Sequence, residues 1–185
     1  FKVTAVIVDN LLIDIEPGDT TSSRFAVAYD LGTTTVVATL LDLNSGTPVA
    51  VKSMLNKQQP FGADVISRIS ATMLDATALQ RLREAGQSTL NELTDEVIQE
   101  AGISHLNVYE VAVAGNATMI QLILGVDPEP VGVAPFITAT QSWPVLNAKE
   151  FGLAIHPQAR AYVFPSFGAY VGGDIVAGVL ASGMD

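Results

Sequence analysis

Short apolar runs separated by polar turns dominate the first part of the sequence. Residues 25–31 and 34–43 are two apolar runs divided by a turn of small residues, a pattern that predicts a buried β-hairpin. A polar turn at residues 44–47 leads to a third apolar run over residues 48–55. Because these connections are short, we expect the first three strands to pair antiparallel in meander order.

Helical spacing and a second strand–helix alternation follow. Asp64 is suited to cap a helix, residues 77–80 match a capping box before a longer helix, and Gly102 is suited to end that helix. The remaining predicted elements are a buried strand over 108–114, a short helix over 118–124, a strand over 160–164 and a helix over 175–182. Residues 126–159 are proline-rich and weakly periodic, so we expect an irregular stretch with one short strand near residues 137–142.

The first 24 residues have a different character. Runs at residues 2–8 and 11–15 predict a separate hairpin with Asp9-Asn10 at its turn, and a polar linker with Pro and Gly follows. We therefore expect residues 1–24 to be the tail of an upstream domain and its linker, and residues 25–185 to form the next domain. The sequence begins with Phe rather than Met, which suggests a fragment or a processed chain.

Composition excludes several kinds of site. The 185 residues carry a formal net charge of −10, which argues against nucleic acid or an anionic membrane surface as a partner. There is no cysteine, so disulfides and thiolate-bound iron–sulfur clusters are excluded, and two histidines are too few for a histidine-based metal site. No apolar run reaches transmembrane length, and we expect a cytoplasmic protein.

The turn of the predicted hairpin carries unusual chemistry. Asp30 ends an apolar run, and Gly32, Thr33, Thr34 and Thr35 follow it. Glycine lets a backbone approach a ligand closely, hydroxyl and amide groups donate to phosphate oxygens, and a carboxylate can hold hydrated Mg²⁺. An ordinary hairpin with threonines on its edge explains this stretch equally well.

Two further turns are candidate parts of the same site. Gly115-Asn116 follows a strand and precedes a helix, where amide groups bind anions, although an ordinary strand–helix turn has the same sequence pattern. Asp174 follows Gly172-Gly173 at the start of the last helix, and it is either a helix cap or a functional carboxylate. The sequence contains neither a Rossmann glycine motif after the first strand nor a Walker lysine motif.

The element order, with Asp-Leu-Gly-Thr-Thr-Thr in the first hairpin, resembles lobe I of the actin/sugar-kinase/heat-shock ATPase superfamily. This resemblance implies a ribonuclease-H-like α/β lobe, with a mixed sheet of about five strands and flanking helices. Four motifs extend the resemblance to the reductive activators of corrinoid proteins, ferredoxin-fused ATPases that return cobalt(II) corrinoids to cobalt(I) for methyl transfer. The motifs are residues 28–35 (AYDLGTTT), 60–69 (PFGADVISRI), 115–119 (GNATM) and 171–178 (VGGDIVAG).

The resemblance implies a role for each candidate residue. Asp30 would contact Mg²⁺ through water, residues 32–35 would hold the phosphates of ATP, and Gly115 and Asn116 would support the phosphate-side loop. Asp174 would be the catalytic acidic residue that orients water or Mg²⁺. In this family a [2Fe–2S] cluster lies in an upstream domain, which agrees with the absence of cysteine here.

The resemblance also implies partners that lie outside this sequence. We expect truncation before lobe II, with the helix over 175–182 as the connection between lobes. The expected partners are a corrinoid protein, the protein's own lobe II and a second copy of the intact protein in a homodimer. A small-molecule kinase of the same superfamily is the alternative function, and a non-catalytic partner-docking module is a third; the fragment alone is expected to be inactive.

Overall fold

The computed structural model describes residues 1–8 and 10–184, so Asp9 of the predicted Asp9-Asn10 turn lies outside the described residues. The strands are β1 (Val3–Val8), β2 (Leu11–Pro17), β3 (Phe25–Leu31), β4 (Thr35–Asp42), β5 (Thr47–Leu55), β6 (Val108–Gly115), β7 (Leu146–Asn147) and β8 (Arg160–Val163). The α-helices are α1 (Val65–Leu74), α2 (Ala78–Ala101), α3 (Ala117–Leu124), α4 (Glu129–Gly132) and α5 (Gly173–Ser182). Single 3₁₀ turns are formed by Gln59–Phe61, His105–Asn107 and Ala148–Phe151.

A mixed sheet of six strands forms the centre of the molecule, in the order β5-β4-β3-β6-β8-β7. Strands β3, β4 and β5 are antiparallel, as the meander pattern predicts, and β6 and β8 join them in parallel. Parallel neighbours need a crossover connection, which α1 and α2 provide between β5 and β6. The strand β7 is an addition to the predicted set of about five strands, and its two residues pair antiparallel with β8.

The core lies between the sheet and helices α2 and α3. Helix α2 repeats apolar residues at steps of three and four, and its Leu82, Leu90, Leu93 and Val97 are fully buried. Burial of one such side chain stabilises the fold by about 1.5–3 kcal/mol. Helix α2 ends at Gly102, whose left-handed backbone (φ 65°) closes the helix as predicted.

Two local predictions are wrong. Thr77 makes no side-chain cap to α2, because its hydroxyl and its amide both donate to the carboxylate of Asp75 at 2.8 Å. Residues 137–142 form no strand, and the amide of Ala139 donates instead to Oε1 of Gln121 at 3.0 Å. The predicted cap at Asp64 is confirmed, since its carboxylate accepts from the Ser67 amide at 2.7 Å.

Strands β1 and β2 form a separate two-stranded sheet that contacts the main body. The hydroxyl of Tyr109 donates to Glu16, and Asp14 lies 3.1 Å from Nε2 of the buried His156. Desolvation by burial and the hydrogen bond to Glu16 raise the pKa of Tyr109 to about 12. Within the described residues, no helix has both the length and the apolar character required to cross a membrane.

Candidate functional site

The turns that follow β3 and β6 lie side by side at one edge of the sheet. These strands are parallel neighbours, and their register places Asp30 beside Ala114 and Leu31 beside Gly115. The carboxyl ends of parallel strands meet at the same edge of a sheet, where open α/β sheets bind their ligands. The β3–β4 turn, residues 32–34, therefore lies next to the turn that begins α3.

The backbone carbonyl groups of Gly32, Thr33 and Thr34 in the β3–β4 turn all accept hydrogen bonds from residues of the protein. Asn56 donates from Nδ2 to the carbonyl of Gly32 at 2.9 Å and from its backbone amide to the carbonyl of Thr34 at 2.8 Å. Between them, Nη2 of Arg68 donates to the carbonyl of Thr33 at 2.5 Å. In the described part of the chain, the amides of Thr33 and Thr34 have no hydrogen-bond acceptor. The turn thus keeps unpaired amide donors, which is the arrangement that binds anions.

Asn116 joins this turn to α3. Its Oδ1 accepts from the amide of Met119 at 2.9 Å and so caps the helix, while its Nδ2 donates to Oγ1 of Thr33 at 3.2 Å. Asn116 can therefore be a helix cap and part of the site at once, because its side chain caps α3 and also bonds to the neighbouring turn.

The start of α5 lies directly against the turn after β6. A Cβ atom on Gly172 would lie 2.4 Å from Cα of Asn116 and 2.7 Å from the carbonyl oxygen of Gly115. Both neighbours are backbone atoms, so only a residue without a side chain permits this approach. The approach brings Asp174, in the first turn of α5, to the same edge of the sheet.

Two carboxylates interact at this edge. Burial raises the pKa of Asp30, and the negative charge of Asp174 raises it further. Asp174 also accepts from the amide of Ile175 at 2.9 Å. Within the described residues, no group of three or more His, Cys, Asp or Glu could hold a metal ion. Mg²⁺ keeps several waters and needs only one or two carboxylates plus phosphate oxygens, so these two side chains fit a hydrated Mg²⁺ that a nucleotide helps to hold.

The predicted site residues all come to this one edge. They are Asp30, Gly32, Thr33, Thr34, Thr35, Gly115, Asn116 and Asp174. The side chains of Thr34 and Thr35 are exposed, and a Cβ atom on Gly32 would lie 2.3 Å from the carbonyl oxygen of Thr35, so the turn requires glycine there. Their binding roles remain predictions.

Two residues hold the turn, Asn56 and Arg68. Sequence reasoning missed Asn56, and it placed Arg68 in the motif at residues 60–69 without a role at the site. Arg68 lies beside Ile69 on the buried side of α1, and a basic residue among the apolar positions of a helix was the one available signal. Asn56 follows β5 in a loop, and no local pattern distinguishes it from other turn residues.

The open space near the site is modest. A cleft of about 330 Å³ lies beside Asn116, with walls from Ile66, Thr118 and Tyr170. A larger cleft, about 520 Å³, lies at the opposite edge, between β1 and the residues that begin β3 and β6. We assign the candidate site to the first edge, because the unpaired amides and the two interacting carboxylates are there.

This fold is lobe I of the actin-like ATPase fold, with three antiparallel strands, two parallel strands and flanking helices. The family model for the RACo middle region matches residues 25–185, and the chain belongs to this family. The corrinoid activation enzyme RamQ of Eubacterium limosum is 34% identical over 180 residues, which are 97% of this chain and 30% of that protein. A solved structure named reductive activator for corrinoid, iron–sulfur protein has a TM-score of 0.88 and 39% identity, and covers 91% of this chain and 27% of that one.

These similarities confirm the resemblance to reductive activators of corrinoid proteins that the four motifs predict. The chain spans under a third of the length of either relative, at 30% and 27%. The activity and partners of a longer protein are therefore a matter of proposal.

Proposed function

We propose that this chain is the first lobe of the ATPase domain of a longer, ATP-dependent reductive activator of corrinoid proteins. One observation carries the proposal: unpaired amides of the β3–β4 turn, an asparagine-capped helix and two interacting carboxylates converge at one sheet edge. Membership of the RACo middle region family, and relatives named for corrinoid activation, support this choice over other nucleotide-binding proteins.

Each residue has a defined part in the proposal. Asp30 and Asp174 hold Mg²⁺ through water, and the amides and hydroxyls of residues 32–35 bind phosphate oxygens. Asn116 keeps Thr33 in position through the hydrogen bond to its hydroxyl. When bound, MgATP supplies the free energy that offsets an uphill electron transfer to cobalt(II).

The proposal assigns the other expected parts to the longer protein. Residues 1–24 are the tail of the preceding domain and its linker. The [2Fe–2S] cluster of the longer protein lies upstream and delivers the electron, and a corrinoid protein receives it. Helix α5 leads to the second lobe. Its exposed Ile175 and Leu180, together with Met184 just after its end, are the surface on which that lobe packs. A ligand that binds the closed arrangement of lobes more tightly shifts the population toward it. A homodimer of the full-length protein belongs to the same proposal.

The test is Asp30→Asn in the full-length protein, with Glu150→Gln as the matched control. Both replacements remove one exposed carboxylate, and Glu150 lies on the turn after β7, outside the site. ATP-dependent formation of cobalt(I) in the corrinoid protein is followed by absorbance. We expect Asp30→Asn to lower this rate by about 100-fold, as for loss of a group that stabilises transferring phosphate, and the control to leave it unchanged.

An unchanged rate in Asp30→Asn contradicts the proposal. Phosphoryl transfer from ATP to a small-molecule acceptor would favour the kinase alternative. The absence of any ATP-induced rise in the melting temperature of the full-length protein would favour the docking module.

A further inference from the structure

Arg68 is a buried cation without a carboxylate partner. Its side chain is fully buried, and in the described part of the chain no acidic oxygen lies within ion-pair distance of it. Its donors reach four neutral acceptors: the carbonyls of Thr33 (2.5 Å) and Gly62 (3.0 Å), Oε1 of Gln58 (3.0 Å) and Sδ of Met119 (3.1 Å). Arginine stays charged under these conditions, so the positive charge is held beneath the turn with no carboxylate of the described residues in ion-pair contact.

Burial of an unpaired charge is costly, and a neutral side chain could fill the same space at lower cost. Burial also lowers the pKa of the Arg68 guanidinium, and only the carboxylate of Asp64 acts in the opposite direction. A buried positive charge of this kind can contribute to function by attracting an anion. The group nearest to Arg68 that could bind an anion is the β3–β4 turn.

The contact with Thr33 transmits that effect. The carbonyl of Thr33 and the amide of Thr34 belong to the same peptide group, so a cation on the oxygen polarises the N–H on the other side. That amide is one of the unpaired donors of the turn. Asn56 fixes the two flanking carbonyls, at Gly32 and Thr34, so the central peptide cannot rotate away from Arg68.

A second layer holds Arg68 in this orientation. Gln58 is buried, and its Nε2 donates to the carbonyl of Leu82 on α2 at 2.9 Å, which turns its Oε1 toward Arg68. Oδ1 of Asn56 accepts from the amide of Gln58 at 3.0 Å. The turn, the loop after β5 and helices α1 and α2 are thus joined by one buried network.

We propose that Arg68 is a positioning residue that strengthens anion binding at the β3–β4 turn from behind, through the Thr33–Thr34 peptide, without touching the anion. The inference rests on the proposed function, in which the anion is the polyphosphate of ATP. Arg68 has two properties that substitutions can change separately: its positive charge and its hydrogen bonds within the fold.

Three variants of the full-length protein make that separation, with Glu150→Gln as control. Arg68→Gln removes the charge and Arg68→Lys keeps it. Gln58→Glu keeps Arg68 and gives it a carboxylate partner, with loss of the hydrogen bond from Nε2 of Gln58 to the carbonyl of Leu82. Dissociation constants for MgATP and for inorganic pyrophosphate are measured by titration calorimetry at low and high salt. The melting temperature of each ligand-free variant is measured alongside.

We expect Arg68→Gln to weaken pyrophosphate binding by about tenfold or more, and Gln58→Glu by about three- to tenfold. Both ratios should change little between low and high salt, because the charge of Arg68 is buried. Arg68→Lys keeps a cation but has fewer donors, so it should weaken pyrophosphate binding less than Arg68→Gln does. A merely structural role would lower melting temperatures and leave the dissociation constants of folded Arg68→Gln and Gln58→Glu unchanged, which would overturn the inference. If Arg68→Gln does not fold, unchanged binding by Gln58→Glu overturns it alone.

Pyrophosphate separates this inference from the proposed function. A wild-type protein that binds pyrophosphate but not MgATP contradicts the proposed function, and the ratios measured with pyrophosphate then decide the role of Arg68. A wild-type protein that binds neither overturns both, because no anion site exists for Arg68 to strengthen.

Discussion

Replacement of Gly172 by alanine tests whether close backbone contact assembles the site. The added Cβ atom would lie 2.4 Å from Cα of Asn116 and 2.7 Å from the carbonyl oxygen of Gly115. Carbon atoms in contact are normally about 3.5–4.0 Å apart, so the start of α5 must move away by about 1 Å. Gly178 in the same helix is the matched control, since a Cβ atom there meets nothing within 4 Å.

The expected magnitudes have opposite signs. Overpacking against backbone costs about 1–3 kcal/mol of unfolding free energy, which lowers the melting temperature of the domain that contains α5. Gly178→Ala relieves the entropic penalty of glycine inside a helix and adds about 0.5–1 kcal/mol. The Gly178→Ala control should therefore melt slightly above wild type, because the added Cβ atom clashes with nothing there.

Thermal unfolding of the full-length protein with and without MgATP measures both stability and binding. A ligand at 100 times its dissociation constant stabilises by about 2.7 kcal/mol. Gly172→Ala should lose most of this stabilisation, because it shifts Asp174 away from Asp30, whereas Gly178→Ala should keep it. The reasoning is refuted if Gly172→Ala melts with wild type and retains the full ATP-induced shift.

Three further predictions concern the carboxylate pair, the helix cap and the hairpin. The pKa of Asp30 is raised in the folded state, so its ionisation destabilises the fold as pH rises. In Mg²⁺-free buffer at pH 7, Asp30→Asn should therefore raise the melting temperature by about 1–3 °C. A gain in melting temperature that persists below the ordinary pKa of aspartate would contradict this. Asn116→Ala should lower the free energy of unfolding by about 1 kcal/mol, because α3 loses its cap. Asn116→Asp should keep the cap and the stability but bind ATP more weakly in calorimetry. Equal ATP affinity would exclude a role for the Nδ2 donor of Asn116. Tyr109→Phe removes the hydrogen bond to Glu16, so limited proteolysis should release the β1–β2 hairpin several times faster than in wild type. ATP binding should be unchanged. Cleavage at the wild-type rate would show that other contacts hold the hairpin.

Local sequence signals predicted the elements, and distant contacts determined the site. The hairpin of β3 and β4 and the caps at Asp64 and Gly102 depend on residues within a few positions, which a sequence pattern records. Arg68 contacts Thr33 across 35 positions. No spacing rule connects residues so far apart, because only the fold brings them together.

The wrong predictions have the same origin. The capping box at Thr77 failed because the hydroxyl and the amide of Thr77 both donate to the carboxylate of Asp75, two positions away. The backbone of Thr77 is also helical (φ −90°, ψ −12°), whereas a capping residue has an extended backbone. The short strand near residues 137–142 failed because its Ala139 amide is bonded by Gln121 on α3, and β7 pairs with β8 instead. In both cases the pattern was present and a competing hydrogen bond decided the outcome.

The position of Asp174 on α5 connects the site to whatever covers that helix. Asp174 lies in the first turn, and the exposed apolar residues Ile175 and Leu180 follow on the same ten-residue helix. A body that packs on this surface contacts the helix that carries Asp174. Under the proposed function that body is the second lobe, and binding at the two places is linked: a partner that favours one lobe arrangement raises ATP affinity by the same factor by which ATP raises the affinity for the partner.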